Sequence, residues 1–221
     1  MAQTAQPPAG LTPEAEEAGF YHEAALNSSW TGARLALGAL SFGFGAFVFA
    51  FFYLRSLNSH NDWYPAGFKA PQAWAGVLIM LLIVVSALVQ TLMLQRIKAG
   101  HKGIWQRGAV VALVLGLVAI AIQLWQLTDL PFPPGFAGFA SVFVGFQPVF
   151  VFVVFGAMVW LEILIQRSRP IPELAFVEQP PTYVEAFAVQ RFQASLSAFT
   201  LVWNYLAVIA IVAWVLFYLV H

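Results

Sequence analysis

Cysteine is absent from the 221 residues, which excludes disulfides, thiolate metal sites and iron–sulfur clusters. Charge is scarce: Asp, Glu, Lys and Arg make up 9% of the chain, against about 25% in an average soluble domain. A globular fold so poor in charge would have an apolar surface and aggregate. Basic and acidic residues balance to a net charge of zero, so no nucleic-acid partner is suggested. No acid occurs between Glu23 and Asp62, and no histidine falls inside a long apolar run. His22, His60, His101 and His221 read as loop or terminal residues. A haem-bearing membrane chain needs axial ligands, most often histidine, within its helices. The chain is therefore expected to bind neither haem nor metal, and no Ser, His and acid set converges to suggest a hydrolase.

The sequence has instead long uncharged runs. Twenty residues separate Arg34 from Arg55, twenty-six Lys69 from Arg96, and twenty-one Arg107 from Asp129. Thirty-two lie between Asp129 and Glu162, and twenty-nine between Arg191 and His221. Each run meets the roughly 20 residues that a helix needs to cross the hydrocarbon core. One Lys, Arg or Asp at a span centre costs about 2.5–3.5 kcal/mol on the insertion scale, so five such gaps are a strong signal. Lipid-exposed backbone must satisfy its own hydrogen bonds, and the alternating ten-residue segments of a barrel are absent. The expected fold is all-α: a polytopic bundle of five transmembrane helices at about 33–56, 72–96, 107–128, 137–165 and 193–219.

Eight basic residues fall on one side of this topology: Arg34, Arg96, Lys98, Lys102, Arg107, Arg167, Arg169 and Arg191. Only Arg55 and Lys69 fall on the other. The positive-inside rule then predicts a cytoplasmic N-terminus and an outside C-terminus. Trp30, Trp63, Trp74, Trp105 and Trp125 all fall near span ends, where interfacial aromatics gather. Residues 1–32 are expected to form an acidic, partly disordered N-terminal segment. Positions 1–11 are small, polar and Pro-rich, with no basic start or apolar stretch of a secretory signal. Thr12-Pro13-Glu14 resembles a helix start, so either a short acidic helix to about Leu26 or a frayed tail follows. Residues 33–221 form the membrane domain. Its longest soluble stretch, about 167–190, reads as a surface crossing followed by a short helix from about Pro181.

Small and weakly polar residues recur at helical spacing. Span three carries Gly108, Ala112, Gly116, Ala119, Gln123 and Gln126; span four Gly138, Ser141, Gly145 and Gly156; span five Ser197, Thr200, Asn204 and Ala207. Such stripes let helices approach closely in lipid, or could line a polar pathway. Gln90, Gln123, Gln126, Gln147 and Asn204 are the buried polar candidates, and none is ionisable. A proton relay needs Asp, Glu or His, so these amides read as interhelical hydrogen-bonding groups. Glu162 is the one carboxylate in an apolar stretch, about a turn from Arg167 and Arg169. It either pairs with them or reaches water, or it meets a partner subunit. Pro148 removes one helical hydrogen bond and should bend span four.

In order, these motifs resemble subunit III of the haem–copper terminal oxidases, in its five-helix form. Span one ends FAFFYLR (49–55), and Trp63, Pro65 and Pro71 follow in the outer loop. Span two reads LLIVVSALVQTLMLQRIKAG (81–100), like the family's Ser-containing helix with a basic inner end. In GLVAIAIQLWQ (116–126), Gln123 matches the family's Gln and Gln126 replaces the Glu three residues later. In FASVFVGFQPVFV (139–151), Gln147 and Phe150 stand where the family has two histidines. In FTLVWNYLAVIAIVAWVLFYLV (199–220), Asn204 takes the place of a His and Ala207 that of an Asp. Every departure replaces an ionisable group by a neutral one.

The resemblance implies a non-catalytic accessory subunit in the inner (plasma) membrane of a bacterium. Its partners would be the haem–copper catalytic subunit I, which reduces oxygen to water, and subunit II. Haem and copper are expected in those partners, with structural phospholipid as a further ligand of this chain. The positions singled out for helix packing or for a subunit or lipid interface are Gly116, Gln123, Gln126, Gly145, Gln147, Glu162 and Asn204. Two other assignments stay open. One is a membrane subunit of another respiratory complex, a nitric oxide reductase or a quinol-oxidising assembly. The other is a small transporter acting alone, which the absence of a visible internal repeat disfavours.

Overall fold

A computed structural model of the chain describes residues 13–57, 63–65, 67–175 and 183–220. These form five long helices: α1 Pro13–Leu57, α2 Ala73–Lys98, α3 Lys102–Thr128, α4 Gly138–Ser168 and α5 Tyr183–Trp214. A 3-10 turn at Pro172–Ala175 precedes α5, and a π turn at Val215–Leu219 ends it. No strand occurs among the described residues. All five helices are long and apolar enough to cross a membrane. Their outward faces carry large apolar side chains, among them Phe42, Leu88, Val114, Phe152 and Val208. In water such a surface would aggregate; in lipid it is the matching solvent. The chain is a multi-pass membrane helix bundle.

The α2–α3 pair is the most closely packed, α5 lies against α2 and α1, and α4 packs on α3. The helices alternate in direction, and polar contacts tie each end. At one end Lys102 Nζ donates to the carbonyls of Arg169 (3.0 Å) and Ile171 (2.8 Å). A basic side chain there meets the carbonyls beyond the end of α4, where the helix dipole favours a cation. This brings the two Lys- and Arg-bearing loops together as a basic end. At the other, Arg55 donates to the carbonyl of Val220 and Gln72 Nε2 to Asp129 Oδ2 at 3.1 Å. Aromatic rings pack the loops onto the bundle here. Phe68 stacks on Phe132 at 4.8 Å, and Trp63 meets Phe51 edge-on at 5.0 Å. Burial raises the Tyr64 phenol above the ordinary tyrosine value.

Several expectations need correction. The acidic helix and span one are a single helix of 45 residues, about 68 Å at 1.5 Å per residue. Asn27-Ser28-Ser29 looks like a stop signal, but Ser28 Oγ bonds back to the Ala25 carbonyl at 2.9 Å. The hydroxyl is thus satisfied without leaving the helix. His22 is consequently helical rather than in a loop, and its ring lies 4.4 Å from that of Phe187. The short helix before span five is likewise the first part of α5. Trp63 and Trp105 are buried in the core, not spread at the interface, whereas Trp74 and Trp125 are exposed and lie 5.6 Å apart. The expectations for residues 1–11, Thr12, Pro181, His60 and His221 fall outside the described residues. Helix α4 runs unbroken through Pro148, and an apolar cleft lined by Pro148, Ile120, Leu124 and Phe152 opens beside it.

Candidate functional site: the neutral polar core

Helix α3 turns Ala112, Gly116, Ala119, Gln123 and Gln126 inward. The period of 3.6 residues places them on one face. Gly116 lies against α4, where an added Cβ would overlap the Met158 side chain. Further along, Gln123 Nε2 donates to Gln147 Oε1 of α4, and both side chains are buried. One turn beyond, Gln126 Nε2 reaches the Tyr218 hydroxyl at 2.9 Å and the Gln72 carbonyl at 3.2 Å. The amides of α3 thereby touch α4, the π turn after α5, and the chain just before α2.

Tyr218 can occupy this position because Gly76 of α2 has no side chain: a Cβ there would overlap the phenol ring. The π turn, closed by Val220 N–H to the Val215 carbonyl at 3.0 Å, orients the last turn of this segment. Single π turns of this kind gather at functional sites. Together Gly76, Gln123, Gln147, Trp214 and Tyr218 line a cavity of about 30 Å³ between α2, α3, α4 and the end of α5.

A second group lies nearer the basic end. Trp203 Nε1 donates to Ser86 Oγ at 3.2 Å, and that hydroxyl donates to the Ala112 carbonyl at 2.7 Å. One relay thus joins α5, α2 and α3. Asn204 Nδ2 donates to Thr91 Oγ1 at 3.0 Å. Gln106 Nε2 donates to Ser168 Oγ at 2.8 Å. Gln90 is fully buried, and neither amide atom has a partner.

Of the positions singled out from sequence, Gln123, Gln126 and Gln147 converge on the cavity region and Gly116 lies on the same face of α3. Asn204 belongs to the second group. Gly145 is exposed, with only the Phe47 ring at 3.4 Å from an added Cβ. Glu162 is half-buried and accepts a hydrogen bond from Gln166 Nε2 rather than pairing with Arg167 or Arg169. Thr91, Ser86, Trp203 and Tyr218 are not among the positions that the sequence singles out as site residues. The hydroxyls at 86 and 91 interrupt an otherwise aliphatic helix, and that was the available signal. Among the described residues no three of His, Cys, Asp or Glu converge as a metal site would require.

The arrangement can hold helices in register and can bind a neutral polar ligand; its amides carry no charge to exchange. No protein-family model matches this chain, and no curated protein matches it.

Proposed function

We propose that this chain is a non-catalytic accessory subunit of an aerobic respiratory terminal oxidase, of the subunit III kind. In this reading it lies in the inner membrane of a bacterium beside the haem–copper subunit, with its basic end in the cytoplasm. One observation carries it. Among the described residues the buried polar side chains are Ser86, Gln90, Gln123, Gln126, Gln147, Ser168 and Thr200. All are neutral and none exchanges a proton near neutral pH, as a proton path through the membrane requires. A chain whose described buried polar groups stay uncharged is suited to supporting chemistry carried out next door.

The outer face of α1 supports the same reading. Gly32, Gly38, Gly43 and Gly45 have open space where a Cβ would stand. A glycine costs about 1 kcal/mol in a helix interior, and none of these four is used for packing within the chain. In lipid, small residues let a neighbouring helix approach closely. Leu35, Phe42 and Phe49 flank them on the exposed face, seven residues apart, as along a helix-pairing seam.

Deleting the chain tests the proposal. The oxidase should keep its haems and reduce oxygen, yet lose activity faster during turnover. Complete loss of haem insertion would contradict an accessory role.

A further inference from the structure

Two of the residues that line the cavity at the aromatic end carry a polar atom that the protein leaves unpaired, and the two atoms are of opposite kinds. Gln123 Oε1 is a buried acceptor without a donor, on a residue 2% exposed. Trp214 Nε1 is a buried donor without an acceptor. Both residues line the same cavity, as does Tyr218, whose oxygen already accepts from Gln126. An unpaired buried donor or acceptor costs about 1–3 kcal/mol.

We infer that this cavity is a hydration site holding one or two ordered water molecules that bridge α3 to the end of α5. A cation would be repelled by the indole N–H, and an anion by the amide carbonyl. A neutral molecule that both donates and accepts satisfies both, and water is the smallest: it would donate to Gln123 Oε1 and accept from Trp214 Nε1 and the Tyr218 hydroxyl. Three such bonds are typical of a buried water, and about 10–15 Å³ suffices for one; the cavity offers about 30 Å³. Helices α3 and α5 lie across the bundle from each other, with α2 and α4 between them; Gln126 already bonds Tyr218 directly, and a bridge at Gln123, one turn away, adds a second tie. The polar chain Gln126–Gln72–Asp129 leads from this site to the exposed end of α3, giving water a route of hydrogen-bonding groups. The site belongs to the bundle itself and stands whichever partner the chain has.

Hydroxyl-radical footprinting tests this, since radicals made from a bound water label the side chains beside it. The full-length protein, with whatever it purifies with, is placed in lipid nanodiscs, irradiated and mapped by peptide mass spectrometry. Met80 and Trp214 border the cavity; Met93 and Trp160 are comparably half-buried but do not. The expected result is labelling of Met80 and Trp214 at least threefold faster than Met93 and Trp160. Gln123→Leu should bring both down to the control rate, while Gln90→Leu, at an amide away from the cavity, leaves them unchanged. Met80 or Trp214 labelled no faster than its control in the native sequence overturns the inference, with no variant needed. So does fast labelling that persists in a folded Gln123→Leu protein.

Discussion

The two halves of the bundle use different polar chemistry. Toward the basic end the buried groups are mostly hydroxyls, and several satisfy themselves on their own helix. Thr91 Oγ1 reaches the Ala87 carbonyl, Thr200 Oγ1 that of Leu196, and Ser168 Oγ that of Ile165. Toward the aromatic end the groups are glutamines, whose longer side chains reach across to other helices. A hydroxyl can be buried almost anywhere on a helix because a carbonyl lies three or four residues back. An amide has four hydrogen-bonding sites to fill, and its neighbours must supply them. Hydroxyls therefore tolerate sliding between helices, whereas the glutamines fix which helices meet and at what height. The cost of that specificity appears at Gln90, where no neighbour supplies a partner.

Substitutions can break this contrast. The largest effect is expected at Gly76→Ala, which drives a Cβ into the Tyr218 ring and disrupts the amide end. Overpacking of this kind costs about 1–3 kcal/mol, read as a lowered midpoint of thermal unfolding in detergent. Gly116→Leu, against Met158 in the core, should come close to it. Gly145→Ala should stay within about 0.5 kcal/mol of the parent, because its surroundings are open and surface changes are mild. Equal losses at 76 and 145 would mean that the close approach of α2 to Tyr218 is not what holds this end.

Ser86→Ala comes next, at about 1–3 kcal/mol, since it strands the Trp203 indole N–H in the core. An unchanged unfolding midpoint would show that the Trp203–Ser86–Ala112 relay is dispensable. The glutamines offer a test by sign. Gln90→Leu removes two unpartnered atoms and should raise stability by about 1 kcal/mol. Gln123→Leu removes an interhelical hydrogen bond, worth about 0.6 kcal/mol in membranes, and should lower it. Shifts in the same direction would refute the distinction between a paired and an orphaned amide. Lys102→Met should cost under about 1 kcal/mol, and its difference from the parent protein should shrink as salt is added.

The five spans were legible because charge is excluded from them so completely. Predicted and observed limits agree within a few residues for α2 and α4. The inward face of α3 was also legible, since a stripe at helical period names its own face. What lies opposite was not. Period fixes a face but not a neighbour, so nothing in the sequence joined Gln123 to Gln147 or Gln126 to Tyr218. Helix continuity was hidden for a related reason. Asn27-Ser28-Ser29 has the composition of a boundary, and only the geometry of the Ser28 hydroxyl shows it absorbed into α1. Trp63 and Trp105 misled because indoles near span ends usually face the lipid interface; here they fill the core beside Phe51 and Phe192.

The proposed accessory role requires this bundle to bind a catalytic neighbour and to hold no haem itself. Gentle solubilisation of native membranes, followed by affinity capture of this chain, subunit identification and a visible spectrum, tests it most directly. The account predicts capture of a larger haem-bearing subunit, and a spectrum free of haem absorption once this chain is separated from it. A chain that emerges without such a partner, or that keeps a Soret band of its own, would contradict it.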